Sequence, residues 1–251
     1  MSGVPVQADL IYDLGSNDGK DTSFYLAKGF RVVAVDADPT LCDKIRGDHA
    51  AAIASGRLSV ENIGIGGESK VMPFYVNQFA EWSSFKANSK ATKALTHTVI
   101  EVRMEPLSKL IAAHGVPYYL KIDIEGHELA ALASMDPDVG LPAYLSFELN
   151  QDRENIMNLL ASWGFDAFQL IRQGRDFLAT PPNPAREGDY VAKKFTNGHS
   201  GCFGRDLPDH WLDKTAATAA ITDAVAASNA RTRLGEPAGW FDLHARRSAA
   251  L

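Results

Sequence analysis

Leu10-Ile11-Tyr12-Asp13-Leu14-Gly15-Ser16-Asn17-Asp18-Gly19 joins an apolar run to a turn bounded by two glycines. Leu10 to Leu14 is a short apolar run that reads as a buried strand, and Gly15 ends it. A helix is expected from Asp18 to Lys28, with Phe24, Leu26 and Ala27 facing inward and Gly29 as its stop. Arg31-Val32-Val33-Ala34-Val35 is continuous and β-branched, as a parallel strand covered on both faces should be. Pro39 near a first helical position opens the next helix, and Arg57 to Ile63 reads as a third strand.

Further along, Val71 to Val76 and Thr98 to Arg103 read as a small antiparallel insertion around a polar loop. Alternation then resumes: a helix from Leu107 to Ala113, a strand from Tyr118 to Ile124, a helix from Glu125 to Ala133, a strand from Tyr144 to Leu149, a helix from Asp152 to Trp163 and a strand from Phe165 to Ile171. Strands alternating with helices predict an α/β fold, a mostly parallel sheet with helices on both faces. The alternation stops near Gln173, apart from an Ala-rich helical segment from Ala216 to Ala230. The expectation is one domain over residues 1–251, with a core at about 9–172 and a C-terminal extension at about 173–251 that covers the acceptor side or packs on the sheet.

Composition narrows the function classes. The net charge is −6, and the basic pairs Lys193-Lys194 and Arg246-Arg247 are too small to neutralise a phosphate backbone, so nucleic acid is not an expected partner. Cys42 and Cys202 supply neither a zinc set nor a disulfide framework. No apolar run approaches the ~20 residues of a membrane span. The first residues lack a basic segment followed by an apolar one, which leads to the expectation of a cytoplasmic protein with no membrane partner.

Two motifs carry chemistry. Asp36 stands at the tip of the second strand, 21 residues after Gly15, where an acid can grip ribose hydroxyls. Gly15 and Gly19 let the backbone turn sharply and approach a ligand. A dinucleotide fold would place further glycines where Asn17 and Asp18 stand, so that pyrophosphate meets a bare helix N-terminus. A carboxylate there repels pyrophosphate and suits a cationic ligand such as S-adenosylmethionine. The second motif is Tyr119-Leu120-Lys121-Ile122-Asp123-Ile124-Glu125-Gly126-His127-Glu128, where Lys121 and Asp123 break an otherwise apolar strand. Buried charge costs several kcal/mol per ion unless paired, so such a break marks a functional site. Glu148 ends the next apolar run in the same way.

At these residues the chain resembles the FkbM-type methyltransferase family. The matching stretches are Asp13 to Gly19, Val35-Asp36-Ala37, Trp82-Ser83-Ser84-Phe85 and Leu120-Lys121-Ile122-Asp123-Ile124-Glu125-Gly126; Ser108 stands where the family often has an acid. The resemblance implies a Rossmann-like class I methyltransferase fold, S-adenosylmethionine as donor, and O-methylation of a hydroxyl on a sugar or natural product. Asp13 and Gly15 would carry over as donor-turn residues and Asp36 as the ribose acid. The candidate donor set also includes Ser16, Asn17, Gly19, Ala37, Asn62, Ser84 and Asp123. Candidates for removing the acceptor's proton are Asp123, Glu125, Glu148 and His127. These oxygens would also suit a divalent ion, although no metal-ligand spacing calls for one. A small-molecule or glycan acceptor is the expected partner. The alternatives are a protein or amine acceptor, a nicotinamide dehydrogenase, which Asn17-Asp18 disfavours, and a non-catalytic nucleotide-binding module, which the acid cluster disfavours.

Overall fold

A computed structural model describes residues 4–79, 83–87, 96–173, 180–196, 198–233 and 240–250. The central sheet is built from β1 (Val6–Leu14), β2 (Arg31–Asp36), β3 (Leu58–Asn62), β7 (Val116–Ile122), β8 (Tyr144–Glu148), β9 (Ala167–Arg172) and β10 (Phe241–Arg246). Their order is β3-β2-β1-β7-β8-β10-β9, parallel except for β10, which runs antiparallel to both of its neighbours. Helices α1 (Lys20–Ala27), α2 (Pro39–Asp48) and α3 (Ala50–Ala54) follow the first strands; α4 (Leu107–His114), α5 (Glu128–Ala133), α6 (Arg153–Ser162) and α7 (Lys214–Arg233) come later in the chain.

The strands are buried on both faces because each face has its own core. On one face Tyr12, Leu120, Ile122 and Phe147 pack with α4, α5, α6 and α7. On the other, Ile11, Tyr119 and Tyr144 pack with Phe24 and Tyr25 of α1 and with Phe203 from the tail. Phe203 stacks on Tyr119 with ring centroids 4.7 Å apart. As expected, β5 (Lys70–Asn77) and β6 (His97–Pro106) form an antiparallel insertion, and β4 (Gly64–Gly66) adds a parallel third strand to it.

Two expectations need correction. The chain beyond residue 172 is not an extension outside the core, because β10 fills the place between β8 and β9. The tail before it supplies core aromatics and a fully buried ion pair, Lys28 to Asp206 at 2.8 Å. Alternation could not reveal this, since β10 pairs with strands far back in sequence. Helix α5 begins at Glu128 rather than Glu125. Glu125 and Gly126 instead adopt positive φ, 54° and 93°, and make a turn that lifts Glu125 out of the helix.

Candidate active site

β1, β2 and β3 extend to one side of the sheet and β7, β8, β10 and β9 to the other, so the order reverses between β1 and β7. Ligands of such sheets bind at the carboxyl ends of the strands at this point. A cavity of about 750 Å³ lies there. Its wall includes Gly15, Ser16, Asn17, Asp36 and Ala37 on one side and Asp123, Glu125 and Glu148 on the other.

The glycine turn is shaped by close packing. Gly15 has φ +77°, and a β-carbon there would collide with the carbonyl oxygen of Asp123. Gly19 caps α1 in the left-handed region, so the helix begins two residues after Asp18. Asp18 pairs with Lys20 at 2.9 Å. Asp36 accepts hydrogen bonds from the backbone N–H of Asn17 at 2.8 Å and of Asp38 at 2.9 Å. Burial pushes its carboxyl up to about 6 against the pull of those two donors. Ser16 is buried, and its hydroxyl has no partner among the described residues.

Asp13 is a support for the turn and is not in the cavity wall. Its fully buried carboxylate accepts from Thr22 Oγ1 at 2.7 Å and Lys121 Nζ at 3.1 Å. Lys121 also donates to the carbonyl of Gly15 at 3.2 Å and lies 3.8 Å from both Asp21 and Asp123. Burial opposes the charge on Lys121, yet Asp13, Asp123 and Asp21 outweigh it and hold the lysine protonated. The strand-breaking lysine therefore ties the glycine turn to the acid cluster.

Carboxylate oxygens of Asp123, Glu125 and Glu148 lie within 4.8 Å of one another, close enough for these three to share a divalent cation. Burial, reinforced by the charges of Asp123, Glu125 and Asp242, pushes Glu148 up to about 8. The Glu125-Gly126 turn is held by Glu128, which accepts from Gly126 N at 2.9 Å and from Asn150 Nδ2 at 2.6 Å.

Other candidates lie around the cavity rather than in its wall. Asn62 donates to the carbonyls of Asp36 and Ala37 at 3.0 and 3.1 Å and so fixes the tip of β2. Ser84 pairs through its backbone with Tyr75, while its neighbours Ser83 and Phe85 line the cavity; Trp82 lies outside the described residues. His127 packs against Phe85 with centroids 5.5 Å apart, outside the wall. Burial, with Lys86 and Lys70 nearby, lowers its pKa and favours the neutral ring.

Sequence reasoning missed Asp21, Gln173 and Asp242, which all line the cavity. Asp242 sits opposite Glu148 in the β8–β10 register, and Gln173 donates to it at 2.5 Å. Burial, together with the charge of Asp123, pushes Asp242 up to about 7. The signal was present: Asp242 stands between Phe241 and Leu243, a charge set among apolar residues much as Glu148 ends its own apolar run.

The sheet order, the antiparallel β10 and the crevice at the strand ends define a class I methyltransferase fold. The methyltransferase FkbM domain model matches residues 13–172. The chain belongs to the FkbM methyltransferase domain family. Among solved structures it is similar to methyltransferase FkbM from Methylobacillus flagellatus KT, at 17% identity and TM-score 0.45, over 65% of this chain and 40% of that one. It thus spans two fifths of that protein's length. It is also similar to precorrin-6y C5,15-methyltransferase from Geobacter metallireducens GS-15, at 9% identity and TM-score 0.40, over 97% of this chain and 81% of that one. No curated protein matches the chain significantly. Among the described residues no helix is long and apolar enough to cross a membrane.

Proposed function

We propose that this chain transfers a methyl group from S-adenosylmethionine to a hydroxyl of a small-molecule or glycan acceptor. The observation that carries this reading is one cavity in which the glycine turn and Asp36 face the carboxylates of Asp123, Glu125 and Glu148.

The residues present fit the donor. Each Asp36 oxygen takes one backbone donor and keeps lone-pair capacity for a ribose hydroxyl. Gly15 and Ser16 line the cavity at the turn, and the unpartnered Ser16 hydroxyl is a ready polar contact. Asp123 supplies negative charge for an ammonium group. When bound, the donor supplies a methyl group on a cationic sulfur that is already electrophilic.

The chain's own task is then alignment and proton removal. As the acceptor oxygen gains the methyl group, its proton passes to a carboxylate within hydrogen-bond reach. Glu148 suits this role in its ionised form: with its carboxyl pushed up to about 8, the carboxylate is a stronger proton acceptor than an ordinary one, and turnover should climb as the pH rises through that value. Asp123, half exposed at the strand end, orients the two ligands, with Lys121 holding the turn and the acid in fixed relation.

The test is release of S-adenosylhomocysteine with a panel of hydroxyl compounds, comparing the native chain with Asp123→Asn, Glu125→Gln and Glu148→Gln. Glu148→Gln should lower turnover by about 10²–10⁴-fold while donor affinity stays within twofold. If all three amides weaken donor binding and leave saturated turnover intact, no carboxylate is the base.

A further inference from the structure

The cavity has a second end, built by the part of the chain where βα alternation ceased. Gln173 follows β9, and its backbone N–H donates to the carbonyl of Trp240 at 2.9 Å, so the β9–β10 ladder extends one step past β10. Trp240 and Asp242, two apart on an extended segment, project to the same side. Both line the cavity together with Gln173.

Trp240 is 45% exposed, large for an indole in a cavity wall. It offers a flat apolar face with a polar edge. Asp242 is only 8% exposed, yet its Oδ1 has no hydrogen-bond partner among the described residues. Its other oxygen is fixed by Gln173, whose amide also donates to the carbonyl of Ser200 at 3.1 Å. A rigid acceptor atom beside an open aromatic face is a built recognition element, because its position does not have to be ordered when a ligand arrives.

Charge narrows what can enter. Among the described residues the wall carries eight Asp or Glu side chains against two lysines. Both lysines are paired, Lys20 with Asp18 and Lys121 with Asp13. An anionic group would meet carboxylates without a free lysine to receive it, which is rejection by charge.

We propose that Trp240, Asp242 and Gln173 form the acceptor subsite, and that it takes an uncharged or amine-bearing polyhydroxy ring and rejects anionic counterparts. The ring face lies on Trp240, and its hydroxyl or amine donates to Asp242. This rests on the methyltransferase reading and names the chemistry of its acceptor end.

The experiment is saturation-transfer NMR on the full chain saturated with S-adenosylhomocysteine. The probes are methyl glycosides and amino sugars, each beside its 6-phosphate or uronate counterpart. Trp240→Ala and Asp242→Asn are run in parallel, with S-adenosylhomocysteine affinity measured for each by calorimetry. Neutral or amino sugars should bind at least fivefold more tightly than their anionic counterparts. Each variant should weaken that binding at least fivefold while S-adenosylhomocysteine affinity stays within twofold. A smaller preference, a smaller loss in either variant, or no sugar binding at all overturns the subsite. Failure of the native chain to bind S-adenosylhomocysteine overturns the methyltransferase reading itself, so the two failures are told apart.

Discussion

Lys121→Met strands buried carboxylates without changing the bulk of the side chain much. Asp13 is fully buried and Lys121 is 6% exposed, with 3.1 Å between their charged atoms. Removing one partner of a buried pair leaves an uncompensated charge and typically costs about 3–5 kcal/mol. Thr22 still donates to Asp13 at 2.7 Å, and this remaining bond places the expected loss near the lower end, about 3 kcal/mol. That is a large part of the about 5–15 kcal/mol that holds a domain together. Urea unfolding followed by tryptophan fluorescence at pH 7.5 measures it as a lower midpoint with unchanged slope. Asp13→Asn combined with Lys121→Met should cost clearly less than the sum of the single changes. A loss under about 1 kcal/mol, or simple additivity of the pair, would refute the idea that Lys121 neutralises Asp13 and holds the turn.

Glu148 and Asp242 have folded pKa values raised to about 8 and about 7, so their ionisation opposes folding: the chain should lose stability as the pH rises from the ordinary carboxylate range through 8. Glu148→Gln should therefore be more stable than the native chain at pH 9 by at least about 1 kcal/mol in thermal or urea unfolding, and equal stability would count against the raised value. A chain ending at residue 173 lacks β10 and should show no cooperative unfolding transition, because β8 and β9 then lose their common neighbour; a folded truncated form would contradict the sheet order.

How far the sequence could be read depended on whether a signal was local. Gly15 and Asp36 were legible because a strand, a glycine turn and an acid at the next strand tip lie within one short stretch. Lys121, Asp123 and Glu148 were legible because each breaks an apolar strand. Asp13 shows the limit of that reasoning: its position in the motif suggested a donor contact, but its carboxylate is taken up by Thr22, nearby in sequence, and by Lys121, which reaches it only in the fold. Asp21 needed knowledge that Ser200 packs on α1, where its backbone N–H donates to both oxygens of Asp21 at 3.1 Å. Asp242 needed the pairing of β10 with β8, a contact between distant parts of the chain that no periodicity encodes. The Glu125 turn departed from the helical reading because Gly126 and the Glu128 carboxylate together stabilise positive φ.

The measurement that bears most directly on the central claim is calorimetry with S-adenosylmethionine, S-adenosylhomocysteine and a nicotinamide dinucleotide, using the native chain and Asp36→Ala. Both sulfur nucleosides should bind in the micromolar range, roughly −8 kcal/mol, and the dinucleotide should not bind. Asp36→Ala should weaken the nucleosides by about 1.5–3 kcal/mol, the value of hydrogen bonds to a charged acceptor. Binding of the dinucleotide alone, or nucleoside binding untouched by Asp36→Ala, would contradict it.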